Sequence, residues 1–155
     1  MAARRAHLLE FAVLGLLAEA PAHGYELRRQ LNDALGPFRA LSYGTLYPAL
    51  KSLLGQGLIA QSETSVTASG RRPRIVYELT VAGREHLSTL LSHIDATAWE
   101  DEGFDVRVHF FPRTRREVRL RILQGRRAAL QEQAQQLEQE MRRITELIEA
   151  EHRRT

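Results

Sequence analysis

Apolar and polar positions along this chain change period several times, and each change predicts an element. Residues 6–19 are apolar on most sides of a helix, which predicts a short helix buried in the core. Ala20-Pro21-Ala22-His23-Gly24 breaks it. From about Tyr25 to Leu35, an apolar side of Tyr25, Leu27, Leu31 and Leu35 predicts a second helix, ended by Gly36-Pro37. Leu46, Leu50, Leu53 and Leu54 then fall at i, i+4, i+7 and i+8, one face of a third helix. Ser42 stands at its N-cap position, and Gly55 and Gly57 stop it. Its other face carries Ser42, Tyr43, Thr45, Tyr47, Ala49, Lys51 and Ser52: hydroxyls, rings and a single charge. A face meant for water usually carries Glu and Lys, so this one suits a polar partner, with DNA as the candidate. Pro48 removes one helix hydrogen bond, and either bends this helix or marks a later start for it.

Beyond Gly57 the period shifts toward two. Residues 58–64 and 74–80 are rich in β-branched and alternating residues around a loop over 65–73, which predicts a β-hairpin. Thr80 then caps a fourth helix running through Leu87, Leu90, Leu91 and Ile94 to about Trp99, where residues 100–105 break it. The alternation of Phe104, Val106, Val108 and Phe110 fits a strand, part of a helix or an extended linker. Last comes the clearest periodicity: Leu120, Leu123, Arg127, Leu130, Ala134, Leu137, Met141, Ile144 and Ile148 alternate at spacings of three and four. That is a heptad seam with one arginine in it, and a helix this long needs a second helix to cover the seam. Self-association is the expectation, with Leu120, Leu123, Leu130, Leu137, Met141, Ile144 and Ile148 as dimerisation residues.

Two short helices joined by a turn, the second with a polar face, make a helix-turn-helix, and a hairpin directly after it is a wing. The predicted fold is mainly α: an α+β winged helix-turn-helix over residues 1–84, with a C-terminal helical, coiled-coil dimerisation region over 85–155. Arg71, Arg72 and Arg74 cluster at the hairpin tip, where they can reach phosphates or an adjacent groove. Composition refines this picture only slightly. Residues 1–84 hold ten Lys or Arg against six Asp or Glu, and 85–155 hold twelve against thirteen, so the positive charge lies with the predicted DNA-binding half. The chain has no cysteine, which excludes disulfides and thiolate metal sites. No apolar run approaches the roughly 18 residues of a membrane span, and the expectation is a soluble, intracellular protein.

At this point the residues resemble a family. His23-Gly24-Tyr25-Glu26-Leu27, Gly44-Thr45-Leu46-Tyr47-Pro48-Ala49-Leu50, Gly57-Leu58-Ile59, Arg71-Arg72-Pro73-Arg74 and Tyr77-Glu78-Leu79-Thr80 with Gly83 are together similar to the PadR family of bacterial winged helix-turn-helix regulators, over about residues 8–90. The resemblance implies a dimeric DNA-binding protein, usually a repressor, relieved by a small-molecule effector or other signal, and cytoplasmic at the bacterial nucleoid. It implies that the third helix is the recognition helix, with Ser42, Tyr43, Thr45, Tyr47 and Lys51 facing double-stranded DNA. Tyr43 departs from the pattern, since relatives often have Pro or a small residue there. Physically, Gly44 permits close approach, Ser42 and Thr45 can donate to phosphate or base edges, and Tyr47 can stack on sugar, touch a thymine methyl or pack on the wing.

Other chemistries fit less well. The chain lacks a Ser-centred elbow and a phosphate-binding loop, the acids at 100–105 lack a calcium-loop spacing, and His86 and His93 lack a third ligand. No enzyme activity, cofactor or metal is expected. A winged-helix module that docks on another protein through its coiled coil is the alternative. Trp99, Phe104, Phe110 and Phe111 lie between the two halves, where they can line an effector pocket or form dimer-interface core.

Overall fold

The computed structural model describes residues 2–34, 43–63 and 74–154. The order is α1 (Ala2–Glu19), β1 (Ala22–His23), α2 (Gly24–Ala34), α3 (Tyr43–Gly55), β2 (Ile59–Glu63), β3 (Ile75–Leu79), α4 (Val81–Ser92), a 3-10 turn (Ala96–Trp99), α5 (Asp101–His109), a second 3-10 turn (Phe111–Arg113) and α6 (Arg116–Arg153). The chain is mostly helical with one small antiparallel sheet, as the periodicity predicts. Among the described residues, no helix is long and apolar enough to cross a membrane.

From Leu8 on, α1 runs through the centre because it has almost no polar side there, while Arg4, Arg5 and His7 in its first turns are exposed. Phe11, Ala12, Val13, Leu14, Leu16 and Leu17 are all buried, and α2, α3, α4, β3 and α5 pack around them. Leu27 and Leu31 bring α2 to this core, and Leu46, Leu50 and Leu53 bring α3. Two side chains differ from expectation. Ala49, read as part of the outer face of the third helix, is buried, and Tyr25, read as core, is 60% exposed. Alanine has too little apolar surface to mark a face, while tyrosine's hydroxyl keeps one end of the ring at ease in water.

α3 passes through Pro48 without starting late. Gly57, at φ 72°, provides the left-handed turn that ends it. The Leu58 amide donates to Leu53 O at 3.0 Å and that of Gly57 to Leu54 O at 3.1 Å, a Schellman arrangement that satisfies orphan carbonyls. Thr80 does its capping as predicted: its hydroxyl accepts from the Gly83 amide at 3.0 Å and donates to Gly57 O at 2.7 Å. One residue thus ties the end of β3, the start of α4 and the turn after α3 together.

The sheet has three strands rather than the two of a hairpin. β3 lies in the middle, with β2 on one side (Ile59↔Leu79 to Glu63↔Ile75) and β1 on the other (Ala22↔Tyr77, His23↔Val76). Two residues carry no strand signal of their own, so β1 exists only through its partner.

The largest departure follows α4, which ends at Ser92 rather than near Trp99. Arg107 of α5 donates to Leu91 O at 3.2 Å and to His93 O, and stands 5.1 Å from the Phe11 ring centroid. The acidic run at 100–105, read as a break, opens α5. Asp101 and Glu102 occupy its first turn, where the helix dipole favours negative charge. Residues 104–109 are therefore helical. α5 buries Val106, and just past its end Phe110, 1% exposed, packs edge-on to Phe11 at 5.8 Å. Gly15 of α1 leaves the space for that ring, since a Cβ there would lie 2.4 Å from it.

α6 is 38 residues long and leaves the body after a short anchored stretch. Ile122 is buried, and Gly125 lets the Trp99 indole lie against the helix backbone, where a Cβ would stand 2.4 Å from the ring. Arg126 clamps the joint by donating to Trp99 O at 3.0 Å and to Asp101 Oδ1 at 2.7 Å, with its guanidinium 5.3 Å from the Phe104 ring centroid. Beyond this point the seam side chains are exposed, Leu137 by 61% and Met141 by 70%.

Candidate nucleic-acid interface

With Leu46, Ala49, Leu50 and Leu53 turned inward, α3 presents Thr45, Tyr47, Pro48, Lys51 and Ser52 outward. Tyr47 is 55% exposed, and Lys51 sits one turn further along the same side. The backbone of Tyr43 and Gly44 forms the first turn of α3. Ser42, Arg71 and Arg72 lie outside the described residues.

Arg74 is exposed just before β3 and shares with Tyr47 an open hollow of about 560 Å³, also lined by His23, Gly24, Tyr25, Ile75 and Tyr77. The fold brings together three separate stretches here. β1 places His23 beside β3, α2 begins immediately after it, and β3 lays Tyr77 on the floor next to α3. Burial raises the Tyr77 phenol above its ordinary range, and neighbouring Tyr47 adds to the shift, so Tyr77 remains a neutral hydroxyl.

His23 organises the rim. Its Nδ1 accepts the Glu26 amide at 3.4 Å, which leaves the proton on Nε2 of the neutral ring. That Nε2 faces both Glu26 Oε1 and the Arg74 guanidinium, each at 3.3 Å. A protonated Nε2 donates to the carboxylate and cannot also accept from arginine. Arg74 and the Glu26 carboxylate therefore approach the same ring nitrogen, and the carboxylate takes its hydrogen bond.

The sequence points to Tyr47 and Arg74 and misses His23, Tyr25 and Tyr77 as their neighbours. The available signal was the run His23-Gly24-Tyr25, read above as a breaker followed by a core ring. A tyrosine in the first turn of a helix, beside glycine and histidine, stands at the edge of the apolar stripe where a half-wet ring belongs.

Of the four rings between the halves, Trp99 and Phe104 are partly exposed at the α6 joint and Phe111 is partly exposed at the start of the second 3-10 turn, whereas Phe110 is sealed in the core against α1. Leu120, Leu123, Leu130, Leu137, Met141, Ile144 and Ile148 are all exposed on α6.

A family model described as the transcriptional regulator PadR-like family matches residues 13–89, which include α2, α3, the described wing strands and most of α4. The chain belongs to the PadR-like family of transcriptional regulators. The negative transcriptional regulator PadR of Bacillus subtilis (strain 168) is 30% identical over 80 residues, covering 52% of this chain and 43% of that protein. The match therefore spans less than half of that relative's length. Among solved structures, Bacillus subtilis PadR in complex with operator DNA is similar with a TM-score of 0.51 at 26% identity, over 80% of this chain and 71% of that one. A PadR-like transcription factor from Bacteroides fragilis gives a TM-score of 0.50 at 29% identity, over 57% of this chain and 82% of that one.

Proposed function

We propose that this PadR-like chain is a dimeric, sequence-specific DNA-binding repressor of transcription that binds a palindromic operator and is relieved by a small ligand. In this reading residues 1–84 bind DNA and 85–155 join two copies and sense the signal. The observation that carries it is the pairing of an outward face of Thr45, Tyr47 and Lys51 on α3 with Arg74 at the loop end of the wing strands. The likeness to an operator-bound PadR supports it.

Each group has a task. The N-terminal turn of α3 aims amide donors and partial positive charge at phosphate, and Gly44 lets the backbone come close. Ser42 and Thr45 donate to phosphates or base edges, Tyr43 and Tyr47 offer rings to sugar or thymine methyls, and Lys51 neutralises a phosphate. Arg71, Arg72 and Arg74 grip the backbone from the wing. Leu120, Leu123, Leu130, Leu137, Met141, Ile144 and Ile148 give the second copy an apolar face. Trp99 and Phe104 are the rings that an effector would reach, and at the α6 joint a ligand could change the angle at which that helix leaves the body. The cytoplasm, at the nucleoid, is the site of action.

Binding to a natural promoter fragment tests the reading through its salt dependence. The Arg71, Arg72 and Arg74 triple alanine variant should lower the slope of log affinity against log salt by up to about 0.9 per lost phosphate contact in each subunit. An unchanged slope would remove the wing from the interface.

A further inference from the structure

This inference rests on the dimer proposed above and concerns how two α6 helices meet. The seam does not end at Ile148. The next position in its three-four alternation is Glu151, also exposed and still within α6. The seam therefore holds two charges, Arg127 near one end and Glu151 near the other. Between them stand Leu130, Ala134, Leu137, Met141, Ile144 and Ile148.

In a parallel, in-register pair each seam residue meets its own copy. Arg127 would face a second Arg127 and Glu151 a second Glu151, two like-charge contacts inside a seam. Ala134 facing Ala134 would leave one layer thin, while Ile144 facing Ile144 would fill another with β-branched bulk. An antiparallel pair permits a different match. With Arg127 opposite Glu151 of the second copy, Leu130 meets Ile148, Ala134 meets Ile144 and Leu137 meets Met141. The two-fold axis then repeats every layer. Both charges are neutralised at both ends of the coil, and the smallest seam residue lies against a large one; Leu120 and Leu123 lie beyond these paired layers, next to where α6 meets its own body. Sliding by one heptad toward greater overlap sets Arg127 against Ile144 and Glu151 against Leu120. Sliding the other way sets Glu151 against Ala134. Only one of these registers pairs the charges.

We infer that α6 docks on α6 of a second copy as an antiparallel coiled coil, with Arg127 of each chain against Glu151 of the other. Two features qualify the electrostatics. Glu151 already has an exposed partner, Arg154, at 3.0 Å in its own chain, so its carboxylate would be shared. Glu138 and Glu140 approach their own copies beside the two-fold axis. They do so on the solvated flanks, where repulsion is weak and screened by salt. In this register Ile122, where α6 leaves the body, lies about 50 Å along the coil from its copy, at 1.5 Å per residue. The two DNA-binding units thus sit at opposite ends of the coil rather than side by side.

The chain has no cysteine, so introduced thiols report contacts cleanly. Under mild oxidation, neither Arg127→Cys nor Glu151→Cys alone should form a disulfide dimer. An equimolar mixture should cross-link, because each mixed dimer keeps one Arg–Glu pair and brings the two thiols together. Cross-linking of Arg127→Cys alone, or none in the mixture, would overturn the antiparallel register. Charge reversal provides a second measurement that needs no thiol. Arg127→Glu or Glu151→Arg should each weaken dimerisation about tenfold or more by sedimentation, as expected for an unpaired seam charge, and the double reversal should restore it. A double variant no better than the singles would equally overturn the register. Wild-type protein that sediments as a monomer at micromolar concentration removes the dimer itself, an outcome distinct from a dimer with the wrong cross-links.

Discussion

Gly15 and Phe110 form a pair whose coupling has a predictable sign. A methyl added at Gly15 would lie 2.4 Å from two Phe110 ring atoms, and that ring is 1% exposed and edge-packed on Phe11. Gly15→Ala alone should gain about 1 kcal/mol from helix propensity. It should lose about 1–3 kcal/mol to overpacking, for a net loss of up to about 2 kcal/mol. Phe110→Ala should cost about 3–5 kcal/mol, as expected for a buried ring. In the Phe110→Ala background the methyl at residue 15 projects into the vacated space, so the same Gly15→Ala change should now stabilise by about 1 kcal/mol or more. The change at residue 15 thus reverses sign, with a coupling energy of about 1–3 kcal/mol. Urea unfolding of the four proteins at one fixed protein concentration measures it. Additive effects, within about 0.5 kcal/mol, would mean that residue 110 does not pack on α1 and that α5 does not close the core.

Three further outcomes follow from individual contacts. Arg74→Ala should weaken DNA binding at all sequences and lower the salt slope by about 0.9 per subunit, whereas Tyr47→Ala should cost about 1–3 kcal/mol chiefly at the preferred site; competition assays with specific and random DNA separate the two. Gly125→Val should unseat the Trp99 indole from α6, giving a red-shifted fluorescence spectrum in the folded protein, and an unshifted spectrum would contradict the joint. The hydrogen bond from the Thr97 hydroxyl, helped by the Thr97 amide and His93 and opposed by desolvation, holds the Asp95 carboxyl below its usual range. A lowered carboxylate contributes stability above its unfolded value of about 4 and loses it as pH falls through the lowered value. Asp95→Asn should therefore flatten the acid limb of the stability profile, and an unchanged acid limb would contradict the Thr97 contact.

Much of the fold was legible because it rests on strong periodic signals. The unbroken apolar run of α1 marked it as the core, the spacing of Leu46, Leu50 and Leu53 oriented α3, and Thr80 and Gly57 marked boundaries by their chemistry. What could not be read depends on partners distant in sequence. β1 is two residues long and exists because β3 lies beside it. The Glu100–Asp105 acids read as a breaker because charge density usually signals a loop. Here they mark a boundary, but the boundary is the start of a helix whose dipole accepts them. α5 also gave a mixed signal because Arg107, at a charged position, is partly buried over Phe11 and bonded to the end of α4. At the candidate site, Tyr47 and Arg74 could be named singly from the outer face of the third helix and from the hairpin. That they meet over Tyr77, with His23 and Tyr25 on the rim, follows only from the pairing of β1 with β3.

Selection of bound duplexes from a random DNA pool by the full chain tests the DNA-binding account most directly. The account predicts enrichment of a two-fold symmetric site with half-sites about one helical turn, or a multiple of it, apart. It also predicts that Tyr47→Ala blurs the base preferences within each half. Recovery of no sequence even at low salt, or of a single asymmetric site bound by one copy, would contradict it.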